Sequence, residues 1–343
     1  MIQIGVVGYG YWGPNLVRNF AETPGVRVSA VSDLNSKRLA VVAQRYPGVN
    51  VMNDALALIE DPSVDAVVIA TPVSTHFELA MAALKAGKHV LVEKPLTASS
   101  VEALRLLEAA DKAKRVLMVD HTFVYTSAVR KIRDMVALGD LGRLYYYDSV
   151  RVNLGLFQHD VNVIWDLAVH DLAIMDYLLP TRPYGVSATG MSHLPGRPEN
   201  IAYLTFLFED NLIAHIHVNW LAPVKIRRTL IGGSRKMVVY DDVEPSEKIK
   251  VYDKGISVDG DPDGIYKMMV NYRAGDMWAP HLDLTEALRT EAAEFVRCIS
   301  TGAKPITSGE AGLRVVGFLE AATQSMKQQG KLVELPARKE STA

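Results

Sequence analysis

The chain has little cysteine, little net charge and no long apolar run. Its 343 residues contain one cysteine, Cys298, which provides neither a disulfide framework nor a cysteine-based metal site. The formal net charge is −2, so no excess of basic residues attracts nucleic acid or an anionic membrane. No apolar run reaches the length of a membrane span, and the start "MIQIGVVG" lacks the basic region of a signal peptide. We therefore expect a cytoplasmic protein that binds neither nucleic acid nor membrane.

The composition and length indicate a globular protein of two domains. Hydrophobic residues make up 49% of the chain and charged residues 22%, which is enough apolar material for a sizeable core. In residues 1–122, strand patterns such as "IQIGVVG" and "VDAVVIATP" alternate with helix patterns such as "THFELAMAALKAGK". This alternation predicts an α/β Rossmann domain, a doubly wound parallel sheet covered by helices on both faces.

Residues 123–335 follow a different pattern. Helical segments flank a series of strand patterns, among them "NIAYLTFLFE", "LIAHIHVNWL" and "KMVVYD", which are separated by polar turns. Strands grouped in this way predict an α+β C-terminal domain with a large, mostly antiparallel open sheet. The last residues, "ARKESTA", are expected to fray.

A glycine-rich loop follows the first predicted strand. Gly8, Gly10 and Gly13 have the spacing G-x-G-x-x-G between a strand and a helix. In a dinucleotide site, the first glycine permits the turn, the second lets the backbone approach a pyrophosphate, and the third allows close packing of helix and strand. The helix N-terminus then offers N–H groups to the phosphates. The alternative is a tight turn without a ligand.

Asp33 favours a dinucleotide site over a tight turn without a ligand. It ends the second predicted strand, where an acid accepts the ribose hydroxyls of NAD and repels the 2′-phosphate of NADP. Its alternative role is that of an acid at the N-terminus of the next helix. Lys37 and Arg38 are near enough in the sequence to keep NADP open as a second cofactor.

Two further stretches carry residues suited to proton transfer. Lys94 in "VEKPL" ends a predicted strand, at the sheet edge where ligands bind in open α/β folds. Asn162, Asp166 and His170 are spaced four apart, which on a helix forms one polar stripe in an apolar segment. Asp166 could then orient His170 and raise its pKa. The alternatives are a solvated lysine and a surface Asp–His pair.

A metal site is not predicted. The chain has nine histidines, and His215 and His217 of "HIH" would point to one face of a strand. No third ligand accompanies them, so we interpret them as sheet residues.

With these motifs together, the sequence resembles the glucose–fructose oxidoreductase / inositol dehydrogenase / MocA family. The resemblance rests on "GYGYWG", Asp33, "ATPVSTH", "EKP" and "WDLAVHD", which span about half of the chain. It implies a Rossmann domain followed by an α+β domain for substrate binding and oligomerisation, hence a homo-dimer or homo-tetramer. It also implies reversible oxidation of a secondary alcohol on a sugar or cyclitol with NAD.

The resemblance also implies roles for individual residues. The positions implied to line the cofactor are Gly8, Gly10, Tyr11, Trp12, Gly13, Asp33, Thr71, Pro72, His76, Glu93 and Lys94. Lys94 would hold the reacting hydroxyl, Asp166 would position the substrate, and His170 would be the acid/base. Some relatives carry a tyrosine near this histidine position, and the histidine here favours a dehydrogenase-like site.

The segments around "WDLAVHD" and "VDHTFVY" resemble the branch that acts on nucleotide-linked sugars, except that Asp120 stands where glycine is expected. Arg151, Asn153 and Asn162 suit a diphosphate or acidic sugar, although ordinary strand and loop roles are the alternative. We therefore predict an NAD-dependent 3-dehydrogenase or 3-ketosugar reductase for a UDP-N-acetylglucosamine-type sugar. The alternatives are a free-sugar or inositol dehydrogenase, an NAD-dependent redox-neutral glycosidase, and a non-catalytic NAD sensor.

Overall fold

The computed structural model describes residues 1–155, 161–253, 255–258, 270–273 and 275–336, and the segment "ARKESTA" lies outside them. The chain divides into two compact units. The first unit contains Met1–Thr126 and Leu284–Glu320, and the second contains Ser127–Asp283 and Ala321–Ala343. Although the sequence pattern favours one domain from 123 to 335, residues 284–320 of that span belong to the first unit.

The helices and strands are numbered in chain order. The helices are α1 (Gly13–Glu22), α2 (Ser36–Arg45), α3 (Ala55–Glu60), α4 (His76–Lys85), α5 (Ser100–Ala113), α6 (Ser127–Ala137), α7 (Val169–Leu178), α8 (Ala287–Thr301) and α9 (Gly309–Lys327). The first strands are β1 (Ile2–Val7), β2 (Val26–Ser32), β3 (Asn50–Met52), β4 (Ala66–Ile69), β5 (His89–Glu93) and β6 (Leu117–Asp120). The remaining strands are β7 (Leu144–Val152), β8 (Gly185–Met191), β9 (Ile201–Leu207), β10 (Ile213–Asn219), β11 (Ile226–Gly233), β12 (Met237–Asp241), β13 (Ile249–Tyr252), β14 (Gly255–Val258), β15 (Val270–Arg273), β16 (Met277–Trp278) and β17 (Val333–Glu334).

The first unit is built on a parallel sheet with the strand order β3-β2-β1-β4-β5-β6. Its central strands are short apolar runs, and every residue of β4 is buried, as expected of a strand covered on both faces. The strand order reverses between β1 and β4, which is the point where doubly wound sheets bind ligands outside the carboxyl ends of their strands. The predicted doubly wound fold is confirmed.

Residues 284–320 complete the first unit from the far end of the chain. The ring of Phe295 in α8 packs edge-on against Phe20 in α1, with the ring centroids 6.1 Å apart. Thr307 exchanges backbone and side-chain hydrogen bonds with Val119 of β6. This segment therefore belongs to the first unit because it buries apolar surface on α1 and satisfies the backbone at the edge of the sheet.

The second unit is built on a mixed sheet with the order β16-β13-β12-β11-β7-β10-β9-β8-β17. All of its pairings are antiparallel except that of β7 with β10, which is parallel. Strands alternate buried and more exposed residues, as in β9 and β10, so one face of the sheet is buried. The strands β14 and β15 form a separate antiparallel pair. This architecture confirms the predicted α+β domain.

Membrane-spanning helices and metal-binding clusters are both absent from the part of the chain that the structure describes. No helix there is both long enough and apolar enough to cross a membrane. No group of three or more His, Cys, Asp or Glu side chains there has the arrangement of a metal site.

Candidate functional site

The glycine loop between β1 and α1 is packed too tightly for side chains at two of its three glycines. Gly8 has φ +98°, and a Cβ atom there would lie 2.6 Å from the carbonyl oxygen of Ala70. A Cβ atom on Gly13 would lie 2.2 Å from the carbonyl oxygen of Gly8. Both distances are shorter than real contacts of a Cβ atom, so glycine is required at both positions for the loop to fold.

Gly10 differs from its two neighbours. Among the described residues, the nearest atom to a Cβ on Gly10 would be Nη1 of Arg38, 3.8 Å away. The fold itself therefore leaves room at Gly10, and this room suits the close approach of a pyrophosphate to the backbone. Tyr11, the next residue, is 92% exposed, while the side chain of Trp12 turns inward and donates from Nε1 to Oδ2 of Asp120 at 2.6 Å.

The N-terminus of α1 suits an anion. The first turn of α1 contains no acidic residue, and Trp12 before it provides no side-chain cap. The helices α2, α3 and α5 begin differently, because the side chains of Asn35, Asp54 and Ser99 accept hydrogen bonds from their first N–H groups. Pro14 has no N–H group, and the N–H group of Asn15 donates to the carbonyl oxygen of Trp12 at 2.9 Å. The N–H group of Gly13 and the positive dipole end of α1 therefore suit the phosphates of a dinucleotide.

Asp33 lies next to the glycine loop at the end of β2. Its carboxylate accepts hydrogen bonds from the N–H groups of Tyr9 at 2.7 Å and Asn35 at 2.8 Å. Nη1 of Arg38 donates to the same carboxylate at 3.4 Å. A carboxylate has about four acceptor positions, so one remains for a ribose hydroxyl. These residues fit NAD.

Lys94 lies at the carboxyl end of β5, between the ends of β4 and β6. Its side chain is partly buried, and the peptide bond between Lys94 and Pro95 is cis. Glu93 and Asp120 are paired in the sheet register, which places the chain segments after β5 and β6 side by side. Lys94 is therefore at the edge of the sheet where open α/β folds bind their ligands.

His76 is buried and holds two loops together. Its Nδ1 lies 2.9 Å from the carbonyl oxygen of Pro95, and its Nε2 lies 2.8 Å from that of Thr71. Burial lowers the pKa of His76, and the hydrogen bonds to the carbonyl groups oppose that effect. The structure thus places His76 as a connection between the segment after β4 and the segment that carries Lys94. The neighbouring Pro72 is exposed.

His121 is a second buried imidazole near Lys94. It directly follows Asp120 and is 2% exposed. Burial, and then the positive charge of Lys94, lower the pKa of His121 to about 3, so the ring is neutral at neutral pH. Neither ring nitrogen has a hydrogen-bond partner among the described residues. The sequence analysis did not predict this residue, although it stands in the quoted motif "VDHTFVY".

In the second unit, the predicted polar stripe takes another form. Asn162 precedes the helical segment, and its Oδ1 accepts hydrogen bonds from the N–H groups of Ile164 and Trp165 at 3.1 and 3.3 Å. The segment Ile164–Ala168 is a π-helical turn that leads into α7. The prediction of three residues at α-helical spacing is therefore wrong, because Asn162 is a helix cap and the π turn holds more residues than an α turn.

Asp166 lies in the π turn, and its Oδ2 accepts a hydrogen bond from Nε1 of Trp220 at 3.0 Å. Trp220 follows β10 and is 1% exposed. A Cβ atom on Gly155 would lie 2.9 Å from Trp220 and 3.2 Å from Nδ2 of Asn153. Asn153 and Trp220 thus both lie beside Gly155, Asp166 lies at Trp220, and His170 is in the first turn of α7.

Trp220 is a residue of this cluster that sequence reasoning missed. Its only signal is a tryptophan directly after a strand, in a chain that contains four tryptophans. The pattern does not indicate that its indole N–H reaches an acid 54 residues earlier in the chain.

Arg151 has a structural partner. Its Nε donates to Oδ2 of Asp171 at 2.6 Å, and both side chains are at most 4% exposed. The hydroxyl of Ser149 donates to the same carboxylate at 2.7 Å. This buried ion pair connects β7 to α7, so the geometry gives no support to a contact between Arg151 and a substrate diphosphate.

The doubly wound sheet, the N-terminus of α1 and the acid at the end of β2 define the class of the protein: its first unit is a Rossmann domain that binds NAD. Residues 2–121 match the model of the oxidoreductase family with an NAD-binding Rossmann fold. Residues 129–239 match the GFO/IDH/MocA C-terminal domain. The chain belongs to the GFO/IDH/MocA family, as its motifs predict.

Individual relatives agree with this assignment. The chain is 32% identical to the uncharacterized oxidoreductase YdgJ of Escherichia coli (strain K12), covering 72% of this chain and 73% of YdgJ. It is 34% identical to inositol 2-dehydrogenase 2 of Saccharopolyspora erythraea, covering 67% and 71%. The solved structure of UDP-N-acetylglucosamine 3-dehydrogenase GnnA from Acidithiobacillus ferrooxidans matches with a TM-score of 0.80 at 25% identity, covering 95% and 98%.

Proposed function

We propose that this oxidoreductase interconverts a secondary alcohol and a ketone at C3 of a UDP-N-acetylglucosamine-type nucleotide sugar. NAD, when bound, would exchange a hydride with the carbon that carries the hydroxyl. The glycine loop, the N-terminus of α1 and Asp33 hold the cofactor. The observation that carries the proposal is Lys94, a partly buried ammonium group at the carboxyl end of β5 in an NAD-binding sheet.

Lys94 holds the reacting hydroxyl in this proposal. An alcohol that is oxidised must also lose its hydroxyl proton, so negative charge develops on its oxygen. A cation beside this oxygen stabilises that charge. The contact of His76 with the carbonyl oxygen of Pro95 fixes the backbone from which the lysine extends. His121 adds a neutral ring at this edge, so it does not repel the cofactor or the lysine.

The proton acceptor in this proposal is His170, to which the family resemblance assigns the acid/base role. His170 takes the hydroxyl proton in oxidation and returns it in reduction, and Asp166 positions the substrate. The indole N–H of Trp220 donates to Oδ2 of Asp166 and thereby fixes the orientation of its carboxylate. Asn153 lies beside Gly155, as Trp220 does, and is a further candidate for a substrate hydroxyl.

The choice of substrate class rests on similarity. The sequence is 28% identical to that of UDP-N-acetylglucosamine 3-dehydrogenase of Acidithiobacillus ferrooxidans, covering 92% of this chain and 94% of that enzyme. The second candidate is a cyclitol dehydrogenase, because the higher identity, 34%, is to an inositol 2-dehydrogenase. The ion pair of Arg151 with Asp171 gives no support to a diphosphate contact at Arg151, so the nucleotide sugar is favoured by similarity alone.

A substrate panel distinguishes these candidates. The purified protein is mixed with NAD or NADH and with UDP-N-acetylglucosamine, related nucleotide sugars, free hexoses or inositols, and the nicotinamide absorbance is followed. Turnover with a nucleotide sugar and none with the free compounds supports the proposal. Turnover with an inositol alone supports the second candidate. No change with any compound, although NADH binds, contradicts both and points to a redox-neutral enzyme or a sensor.

The role of Lys94 is tested in the same assay. Lys94→Ala should lower kcat by at least about a hundredfold while the affinity for NADH stays within about threefold. Lys85→Ala is the matched control, because Lys85 is an exposed lysine at the end of α4. Unchanged turnover in Lys94→Ala would show that this lysine does not hold the reacting hydroxyl.

A further inference from the structure

Asp120 is a buried acid at the end of β6, at a position where the resembling branch is expected to carry glycine. It is 2% exposed and accepts two side-chain hydrogen bonds on different oxygens. Nε1 of Trp12 donates to Oδ2 at 2.6 Å, and the hydroxyl of Thr122 donates to Oδ1 at 2.5 Å. Trp12 stands between Gly10 and Gly13, so Asp120 connects the end of β6 to the cofactor loop.

Glu291 on α8 lies beside this acid. Its side chain is 0% exposed, and neither of its carboxyl oxygens accepts a hydrogen bond from a donor among the described residues. Its polar neighbours are Asp120, Thr122 and Glu93. Burial first, and then the charges of Asp120 and Glu93, raise the pKa of Glu291 well above its ordinary value.

Two neighbouring buried carboxyl groups do not both carry charge, because each disfavours the ionisation of the other and water does not solvate them. Asp120 is the member that accepts the hydrogen bonds of Trp12 and Thr122. Glu291 therefore keeps its proton and donates it to Asp120. The carboxylate of Asp120 then accepts from three side chains, those of Trp12, Thr122 and Glu291.

We infer that Glu291 and Asp120 form a carboxylic acid–carboxylate pair that positions the glycine loop for NAD through the indole of Trp12. Both are positioning residues, because they act through Trp12. The loop backbone is fixed at Gly8 and Gly13 by close packing, and the hydrogen bond of Trp12 fixes the segment between them. This inference concerns NAD binding at the loop and stands whether or not the proposed sugar substrate is correct.

The first test measures the affinity for NADH by fluorescence titration without any sugar. Trp12→Phe keeps the ring and removes the N–H group, and Asp120→Asn removes the charge that the N–H group contacts. Each should weaken NADH binding by about tenfold, since a hydrogen bond to a charged group is lost. The double variant should be no weaker than either single variant, because both changes break the same contact. Additive losses, or wild-type affinity in Trp12→Phe, would overturn the inference.

Variants of Glu291 test the other half of the pair. Glu291→Leu should weaken NADH binding, and Glu291→Gln should restore most of the affinity, because its amide group donates to Asp120 without carrying charge. Glu294→Gln is the matched control on the same helix, since Glu294 pairs with Arg297 instead, and it should bind NADH like the wild type. A Glu291→Gln variant as weak as Glu291→Leu would contradict a donated hydrogen bond.

Infrared spectroscopy tests the location of the proton directly. At neutral pH, the wild-type protein and Trp12→Phe should show the carbonyl band of a protonated carboxyl group that Glu291→Gln lacks. If the wild-type and Glu291→Gln spectra do not differ in this band, Glu291 is ionised and the inference fails. Because the NADH titrations and the infrared measurement use no sugar, a failure of this inference is distinguishable from a failure of the proposed function.

Discussion

Exchange of Gly10 for alanine should separate cofactor binding from folding. A Cβ atom at Gly10 would have its nearest described neighbour, Nη1 of Arg38, at 3.8 Å, and the residue does not have a positive φ. Gly10→Ala should therefore leave the free energy of unfolding unchanged or raise it by about 0.4–1 kcal/mol, because alanine restricts the unfolded chain. Gly13→Ala should instead cost about 1–3 kcal/mol, because its Cβ atom would lie 2.2 Å from a backbone oxygen.

The effect on cofactor binding follows from the same geometry. With NADH at about 100 times its dissociation constant, the wild-type protein gains about 2.7 kcal/mol of stability. A domain of roughly 150–250 residues shifts its Tm by about 2–4 °C per kcal/mol, so NADH should raise the Tm by about 5–11 °C. Gly10→Ala should lose this shift, because its methyl group occupies the space in which the pyrophosphate approaches the backbone.

Thermal unfolding with and without NADH measures both effects. Gly48→Ala is the matched control, since Gly48 has an open environment away from the loop, and it should keep the full shift. Two results would refute the reasoning. One is a Gly10→Ala variant that keeps the NADH shift. The other is a Gly10→Ala variant that unfolds, without NADH, as early as Gly13→Ala.

Two further predictions concern stability. Arg151→Met should cost about 3–5 kcal/mol in urea unfolding, because it leaves the charge of Asp171 buried, whereas Lys250→Met, which breaks an exposed pair, should cost less than about 1 kcal/mol. Equal costs would contradict this assignment. The pKa of His121 is lowered to about 3 in the folded protein, so the unfolded chain binds the extra proton and stability should fall as the pH drops from about 6.5 towards 3. His121→Phe should reduce this slope over that range, and an unchanged slope would show that His121 does not titrate on unfolding.

The fold of the first unit was largely predictable because its pattern is local. Each central strand is a run of apolar residues that are buried on both faces, and each long helix has its own apolar stripe. The elements that escape the pattern are the shortest. β3 has three residues and α3 has six, and such lengths hold less than two turns of helix or two repeats of a strand.

The place of residues 284–320 was not predictable from pattern. The apolar face of α8 shows that this helix packs against something, but the sequence does not say that Phe295 contacts Phe20. Such contacts join positions far apart in the chain, and the pattern within a helix carries no information about its partner.

In the candidate site, too, some residues were predictable from local motifs and others were not. Gly8, Asp33 and Lys94 could be located because motifs place them at the ends of strands, and Gly13 because its motif places it at the start of the next helix. The partners of buried polar groups could not be located in this way. A basic residue in a strand suggests a diphosphate, and only the packing of α7 on β7 shows that Asp171 occupies the guanidinium of Arg151.

The return of residues 284–320 to the first unit has a consequence for the order of synthesis. A ribosome releases the N-terminal segment Met1–Thr126 long before it has made α8. During that interval the face of α1 around Phe20 and the edge of β6 lack the surfaces that finally cover them. The NAD-binding unit therefore reaches its final stability only near the end of translation, and a nascent chain that stops before residue 284 should be a preferred substrate of chaperones and proteases.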